Sequence, residues 1–128
     1  MLDGMSAIPQ LGQVALSVSD VASMTAFYRD AVGLPFLFAA GPNLSFFDLG
    51  GVRLMVSGPE GVGPVPANST LYFKVPSVDE VFAVSRGRLD FVDEPHLIAK
   101  MHDHELWMVF FKDPEGNLMG FMEERRKL

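Results

Sequence analysis

From Gln13 to Val18 the chain alternates, Gln-Val-Ala-Leu-Ser-Val, and the alternation returns at Thr70 to Val75, Thr-Leu-Tyr-Phe-Lys-Val. A period of two predicts strands with one buried face. Behind the first, Asp20 stands where a helix N-cap belongs. Val21, Met24, Phe27 or Tyr28, and Ala31 then recur at helical spacing, and Gly33 suits the stop. Behind the second, Ser77-Val-Asp-Glu80 reads as a capping box, with Val78, Val81, Phe82 and Val84 after it and Gly87 as the stop. The two strand-helix units are offset by 57 residues, Gln13 to Thr70.

Short β-type runs follow each helix: 35–39, 44–48 and 52–57, then 89–92, 105–111 and 118–123. Each half therefore reads βαβββ. The last hairpins carry turn signals, Asp48-Leu-Gly-Gly51 and Asp113-Pro-Glu-Gly116, the second with Pro and Gly placed for a type I turn with a glycine bulge. Aligning these turns gives an offset of 65, so the second half holds about eight more residues, assigned to a loop over Asp93–Asp103. Between the halves, Gly58-Pro-Glu-Gly-Val-Gly-Pro-Val-Pro66 is dense in turn formers and reads as a linker. The expected organisation is one domain over 1–128, with module one at 11–57, a linker at 58–68 and module two at 69–124. Neither module covers both faces of its own sheet, so the halves are expected to associate, within the chain or across a dimer.

Composition narrows the class. A chain of 128 residues with 48% hydrophobic and 20% charged side chains can bury a core, which rules out disorder. Ten Lys and Arg against 16 Asp and Glu argue against a grip on nucleic acid or an anionic membrane. Without cysteine there is no disulfide framework, thiolate nucleophile or thiolate metal site, which fits a cytoplasmic protein. No apolar run approaches the ~18 residues of a membrane span, and Met1 to Gly12 lacks the pattern of a signal peptide.

Gln-Val-Ala-Leu-Ser-Val-Ser-Asp, then Phe27-Tyr28 and Val32-Gly33-Leu34, and the closing Phe-Phe-Lys-Asp-Pro-Glu-Gly-Asn-Leu resemble the vicinal oxygen chelate superfamily. That group includes glyoxalase I, bleomycin-resistance proteins, extradiol dioxygenases and methylmalonyl-CoA epimerase. The resemblance spans nearly the whole chain. It implies an α+β fold in which two βαβββ modules form a cupped mixed sheet with flanking helices, and it implies a homodimer, which the linker and exposed module edges support. In the family's metal enzymes four side chains meet in the cup, and the matching positions here are Gln13, Met55, Thr70 and Gly120. The 57- and 65-residue offsets pair Gln13 with Thr70 and Met55 with Gly120, so the repeat reproduces that pairing. Of the four only Gln13 offers a serviceable ligand, a neutral carboxamide oxygen. A divalent site wants roughly three carboxylate or imidazole ligands. The expectation is no metal and no other cofactor, which removes Lewis-acid polarisation and with it the dioxygenase and glyoxalase I mechanisms.

Alternation gives the cup its other residues. The first strand offers Gln13, Ala15 and Ser17; the fourth Arg53, Met55 and Ser57; the fifth Thr70, Tyr72 and Lys74; the last Leu118, Gly120 and Met122. The opposite set, Val14, Leu16, Val18, Val52, Leu54, Val56, Leu71, Phe73, Val75, Met119 and Phe121, is apolar and suits packing on helices. An apolar concavity with a few polar groups is what a small-molecule pocket needs. Gly120 is expected to leave room where the metal enzymes hold a carboxylate. Arg53 either grips a ligand carboxylate or another planar anion, or is a solvated strand start. Tyr72 either donates a hydrogen bond to a ligand or caps the core. Eight Met and eleven Phe suit an adaptable surface, though a plain core accounts for most.

His96, His102 and His104 fall in or just after the extra loop, interleaved with Asp103 and Glu105, and an extended stretch puts His102 and His104 on one face. The readings are a solvated loop, an acid or base over the cup mouth, or a new metal site. Trp107 either stacks on a ligand or packs in the core. The end, Glu123-Glu-Arg-Arg-Lys-Leu128, reads as a solvated mixed-charge tail.

The ligand-binding candidates are thus Gln13, Arg53, Met55, Thr70, Tyr72, Trp107 and Gly120, and the acid-base candidates are His102, His104 and Tyr72. The leading function is metal-independent binding of a small, partly apolar organic molecule, of the bleomycin-resistance type. The alternative is a lyase or isomerase of the glyoxalase or epimerase type. Neither nucleic acid nor membrane is expected as a partner.

Overall fold

The computed structural model describes residues 10–59 and 68–126. Most of the start at Met1–Gly12, most of the 58–68 linker and the last two residues of the charged tail lie outside that description. The chain divides into two compact units, Met1–Pro66 and Ala67–Leu128.

In the first unit, β1 (Gln13–Ser17) leads to α1 (Val21–Ala26), which runs on as a π-helical stretch over Phe27–Val32. Then come β2 (Phe36–Ala39), β3 (Leu44–Asp48) and β4 (Arg53–Ser57), forming a sheet of order β1-β4-β3-β2. Only β1 and β4 run parallel, as expected when a helix carries the chain from the first strand back to the sheet. Asp20 caps α1 by accepting the Ser23 N–H at 3.1 Å. Gly33 closes the helical segment with φ +85°, a left-handed conformation that glycine adopts without strain. The 3.6-residue period expected to hold to that glycine widens after Ala26. Tyr28, not its neighbour Phe27, is the buried ring.

The core of this unit is the face expected from alternation. Leu16, Val18, Leu54 and Val56 are buried beside Val21, Met24, Tyr28 and Phe47. Within this apolar layer the Thr25 and Ser45 hydroxyls pair at 2.7 Å, so both polar groups are satisfied where water is excluded.

The second unit repeats the plan. Its elements are β5 (Tyr72–Lys74), α2 (Val78–Ser85), β6 (Asp90–Phe91), β7 (His96–Lys100), β8 (His104–Lys112) and β9 (Leu118–Arg126). The strand order is β5-β9-β8-β6, with β7 also on β8. Val78, Leu89, Val109, Phe111, Met119 and Phe121 are its buried apolar residues. Ser77 Oγ accepts the Glu80 N–H at 3.1 Å, and the buried Glu123 carboxylate of β9 accepts the Val78 N–H at 3.0 Å. One cap of α2 is therefore local and the other reaches in from the sheet.

Two expectations are corrected here. The extra residues at 93–103 do not form a loop: β6 and β7 are two pieces of one edge strand, both antiparallel to β8. At the break the Asp93 carboxylate accepts the Phe110 N–H at 2.8 Å, taking over from a strand carbonyl where the chain kinks. The eight additional residues thus lengthen a hairpin, so that β8 has nine residues where β3 has five. Nor is 123–126 a solvated tail. It completes β9, and Glu123 holds Arg125 through hydrogen bonds of 2.9 and 3.1 Å.

The closing turn follows its sequence. Gly116 takes φ +85°, its N–H reaches Asp113 O at 2.9 Å, and Asp113 Oδ1 accepts from the backbone of Glu115 and Asn117.

Candidate functional site

Each sheet buries one face against its helix and leaves the other open, and strand pairing fixes what stands beside what. In the first unit Ala15, Met55, Phe46 and Phe38 form one row across β1, β4, β3 and β2. Gln13, Arg53 and Asp48 form the next. Phe38 stacks on Phe46 with ring centres 4.7 Å apart, and the Arg53 guanidinium lies 5.3 Å from the Phe46 ring centre. Phe46 is buried under these two neighbours, while Phe38 remains exposed. Asp48 sits across from Arg53, yet its Oδ1 turns into the hairpin and accepts the N–H groups of Gly50 and Gly51 at 3.1 and 3.2 Å. Arg53 instead leans over the apolar row. The Gln13 amide is directed at the Met55 sulfur, 3.7 Å away.

On the open face of the second unit, Tyr72, Gly120 and Phe110 are aligned across β5, β9 and β8. Gly120 was expected to leave a vacancy and does not. A methyl group built on it would meet Phe110 at 3.1 and 3.2 Å and Tyr72 at 3.2 Å, because the two rings, 5.9 Å apart edge to face, close over the missing side chain. His96 flanks Phe110 on the far side at 6.4 Å between ring centres. Its Nδ1 donates to Glu94 O at 2.7 Å.

The remaining candidates scatter. Thr70 lies before β5 begins and is half-buried. Trp107 is on the opposite face from Tyr72 and Gly120: it pairs with Glu123, donates to Glu105 at 3.0 Å, and carries the Arg125 guanidinium 4.0 Å above its ring. It belongs to the helix side, where Arg125 also reaches Asp79 of α2 at 2.9 Å, so it does not stack on anything bound to the open face. His102 and His104 do not share a face either. His102 is exposed in the hairpin bend that the Met101 N–H closes on His104 O at 2.8 Å.

His104 begins β8 on the open face, beside a cavity of about 190 Å³ lined also by Lys74, Asp103, Glu124 and Arg126. Its Nδ1 is 2.7 Å from Asp103 Oδ1, and this hydrogen bond holds the Asp103 carboxyl below the usual carboxylate range. A carboxylate can only accept, so Nδ1 is the donor and Nε2 is the ring nitrogen left for another partner. Lys74 is paired with Glu124 at 3.0 Å.

The divalent ion found in the family's metal enzymes does not suit the residues at the matching positions. They supply a thioether, a hydroxyl and a carboxamide directed at that thioether, and the fourth is a glycine sealed by two rings. Hard and borderline cations favour carboxylate and imidazole over such donors. Among the described residues no three His, Asp or Glu side chains gather elsewhere in a way that would hold a metal.

Phe38, Phe46 and Phe110 escaped the sequence reading, which placed His96 in a loop and not beside Phe110. The signal was available in part, since alternation along Leu44–Asp48 and His104–Lys112 puts Phe46 and Phe110 on the open faces.

Comparison with known proteins agrees with this architecture. Residues 10–121 match the Glyoxalase/Bleomycin resistance protein/Dioxygenase superfamily, and the chain belongs to that family. A superfamily member from Sphaerobacter thermophilus DSM 20745 superposes with a TM-score of 0.75 at 20% identity, over 91% of this chain and 98% of that one. TioX from Micromonospora sp. ML1 gives 0.71 at 22% identity, over 93% and 100%. Lactoylglutathione lyase from Agrobacterium tumefaciens gives 0.64 at 24% identity, over 91% and 96%. A search of curated proteins returned no match. At these identities the structural likeness concerns the fold, which in this family carries several chemistries.

Proposed function

We propose that the protein binds a small, partly apolar organic molecule on its open sheet faces without a metal ion, in the manner of the family's bleomycin-resistance members. The observation that carries this is what has become of three of the four positions matching the metal ligands of related enzymes. Gln13 turns to Met55, and Tyr72 and Phe110 close over Gly120. Around them lies an apolar surface with a few polar groups, which suits desolvation and orientation of a ligand. The exposed apolar edges, Phe36, Leu37 and Phe38 on β2 and Leu97 and Ile98 on β7, support action as a homodimer. Absence of cysteine and an acidic surface support a cytoplasmic setting. Among the described residues no helix is long and apolar enough to cross a membrane.

Two measurements test the reading. Protein incubated with excess zinc, nickel or manganese and then desalted is expected to retain far less than one metal per chain; stoichiometric retention overturns the metal-free view. A thermal-shift screen of antibiotics, aromatic acids and acyl thioesters is expected to raise the midpoint with at least one class, because a ligand that binds only the folded form stabilises it.

A second reading, a lyase or isomerase working by acid-base chemistry, is favoured by one observation. His104 has its Nδ1 held by Asp103 and faces a cavity. Turnover of a glyoxalase or epimerase substrate that disappears in His104→Ala while binding persists would establish it.

A further inference from the structure

We infer that the open face of the first unit selects a flat aromatic ring bearing a carboxylate, with Arg53 as the residue that sets the sign of the charge. The inference rests on the binding reading above and narrows it to a ligand class.

The face offers one cation. Among the described residues the ion pairs engage Arg29, Lys74, His96, His104 and Arg125, and none engages Arg53. Its register neighbour Asp48 is committed to the Gly50 and Gly51 amides. Arg53 is exposed and held over the Phe46 ring, an attraction that fixes the guanidinium plane without using its N–H donors. A planar fork of donors matches a carboxylate edge, whereas it repels an ammonium and gains less from a hydroxyl.

Beside the guanidinium runs the apolar row of Ala15, Met55, Phe46 and Phe38. Phe38 presents an exposed ring, Met55 is a half-buried thioether, and Ala15 leaves the row low at its β1 end. Aromatic and thioether groups attract a flat ring laid along them. Ring and carboxylate are thereby addressed by adjoining rows of one sheet.

The overall charge makes the sign informative. With a formal net charge of −6 the chain repels anions and draws cations, so a preference for an anionic ligand has to arise locally. On the open face of the second unit Lys74 is already paired with Glu124 and Arg126 shares its cavity with the Asp103 and Glu124 carboxylates, so the first unit is the better anion site.

Calorimetric titration of the full chain with 2-naphthoate, 2-naphthylmethanol and 2-naphthylmethylammonium tests the inference. The carboxylate is expected to bind about tenfold or more tighter than the alcohol, and the ammonium more weakly than both. Arg53→Gln is expected to erase that preference by weakening the carboxylate far more than the alcohol, with an unaltered melting temperature as the control for folding. Arg53→Lys is expected to keep the order but lose most of the margin, because an ammonium cannot offer the two-pronged contact. Phe38→Ala is expected to weaken all three ligands alike. Equal affinity for the three, or a carboxylate preference that survives Arg53→Gln, overturns the inference while leaving small-molecule binding standing. No heat with any of the three also overturns it, and the wider thermal-shift screen then decides the binding reading separately.

Discussion

The two units share one βαβββ plan yet treat the middle of their open faces differently. In the first, Met55 stands on β4 with the Gln13 amide directed at its sulfur, and the row beside it stays accessible at Ala15 and Phe38. In the second, the equivalent position is Gly120, and its neighbours fill the space from the sides. Deleting a side chain from a sheet therefore does not create a pocket when flanking strands carry rings long enough to lean over. The accessible apolar row is on the half that kept a side chain, and the glycine marks a packed spot.

The sharpest way to break this comparison is Gly120→Val. Two methyl groups beyond a Cβ that already meets rings at 3.1–3.2 Å are expected to cost about 2–3 kcal/mol in urea unfolding. Adding Tyr72→Ala should restore part of that loss, and additive losses would show that the rings are not what closes the site. A pocket at Gly120 would instead accept valine at little cost.

The helix starts give the next contrast, since α1 is capped locally by Asp20 and α2 is also tied to the sheet by Glu123. Glu123→Gln is expected to cost about 1–3 kcal/mol at neutral pH, as a buried carboxylate loses charge-assisted bonds. Hydrogen bonding from Arg125 is the main cause that depresses the Glu123 carboxyl below its ordinary value in the folded chain. Its stabilisation is therefore fully present above the unfolded carboxyl pKa of roughly 4.3 and fades as pH falls through the lower folded value. The stability gap between wild type and Glu123→Gln should accordingly narrow below about pH 4. A gap that instead widened with acid would contradict the assignment. Asp20→Ala, which removes a local cap, should cost about 1 kcal/mol. Met55→Ala should matter least, about 0.5 kcal/mol, because its side chain is half exposed.

Much of the scaffold was legible because its signals are local. Asp20, Ser77 and the Asp113 turn each satisfy backbone groups within a few residues of themselves, so their type and spacing suffice. Alternation sorted Leu16 and Val56 from Ala15 and Met55 because both strands are regular. What escaped depends on partners distant in the chain. Nothing near Gly120 in sequence reveals that Tyr72 and Phe110 cover it. Glu94-Pro95 looks like the end of a strand, and the resumption at His96 depends on Asp93 bonding to Phe110. His102 and His104 fell on different surfaces because a bend, not an extended run, separates them. The choice between stacking and packing for Trp107 stayed open because its face follows from the register of β8 against β9, where it meets Glu123. The candidate site was thus half visible: Gln13 and Met55 were named from the family resemblance and Arg53 from alternation, while the rings that shape their surroundings needed the pairing of β2 with β3.

The lone indole beneath Arg125 supplies a built-in optical label for one half of the molecule. Its emission should track loosening of the second unit. Comparing that signal with far-ultraviolet circular dichroism during melting would reveal whether the two halves let go together or in turn.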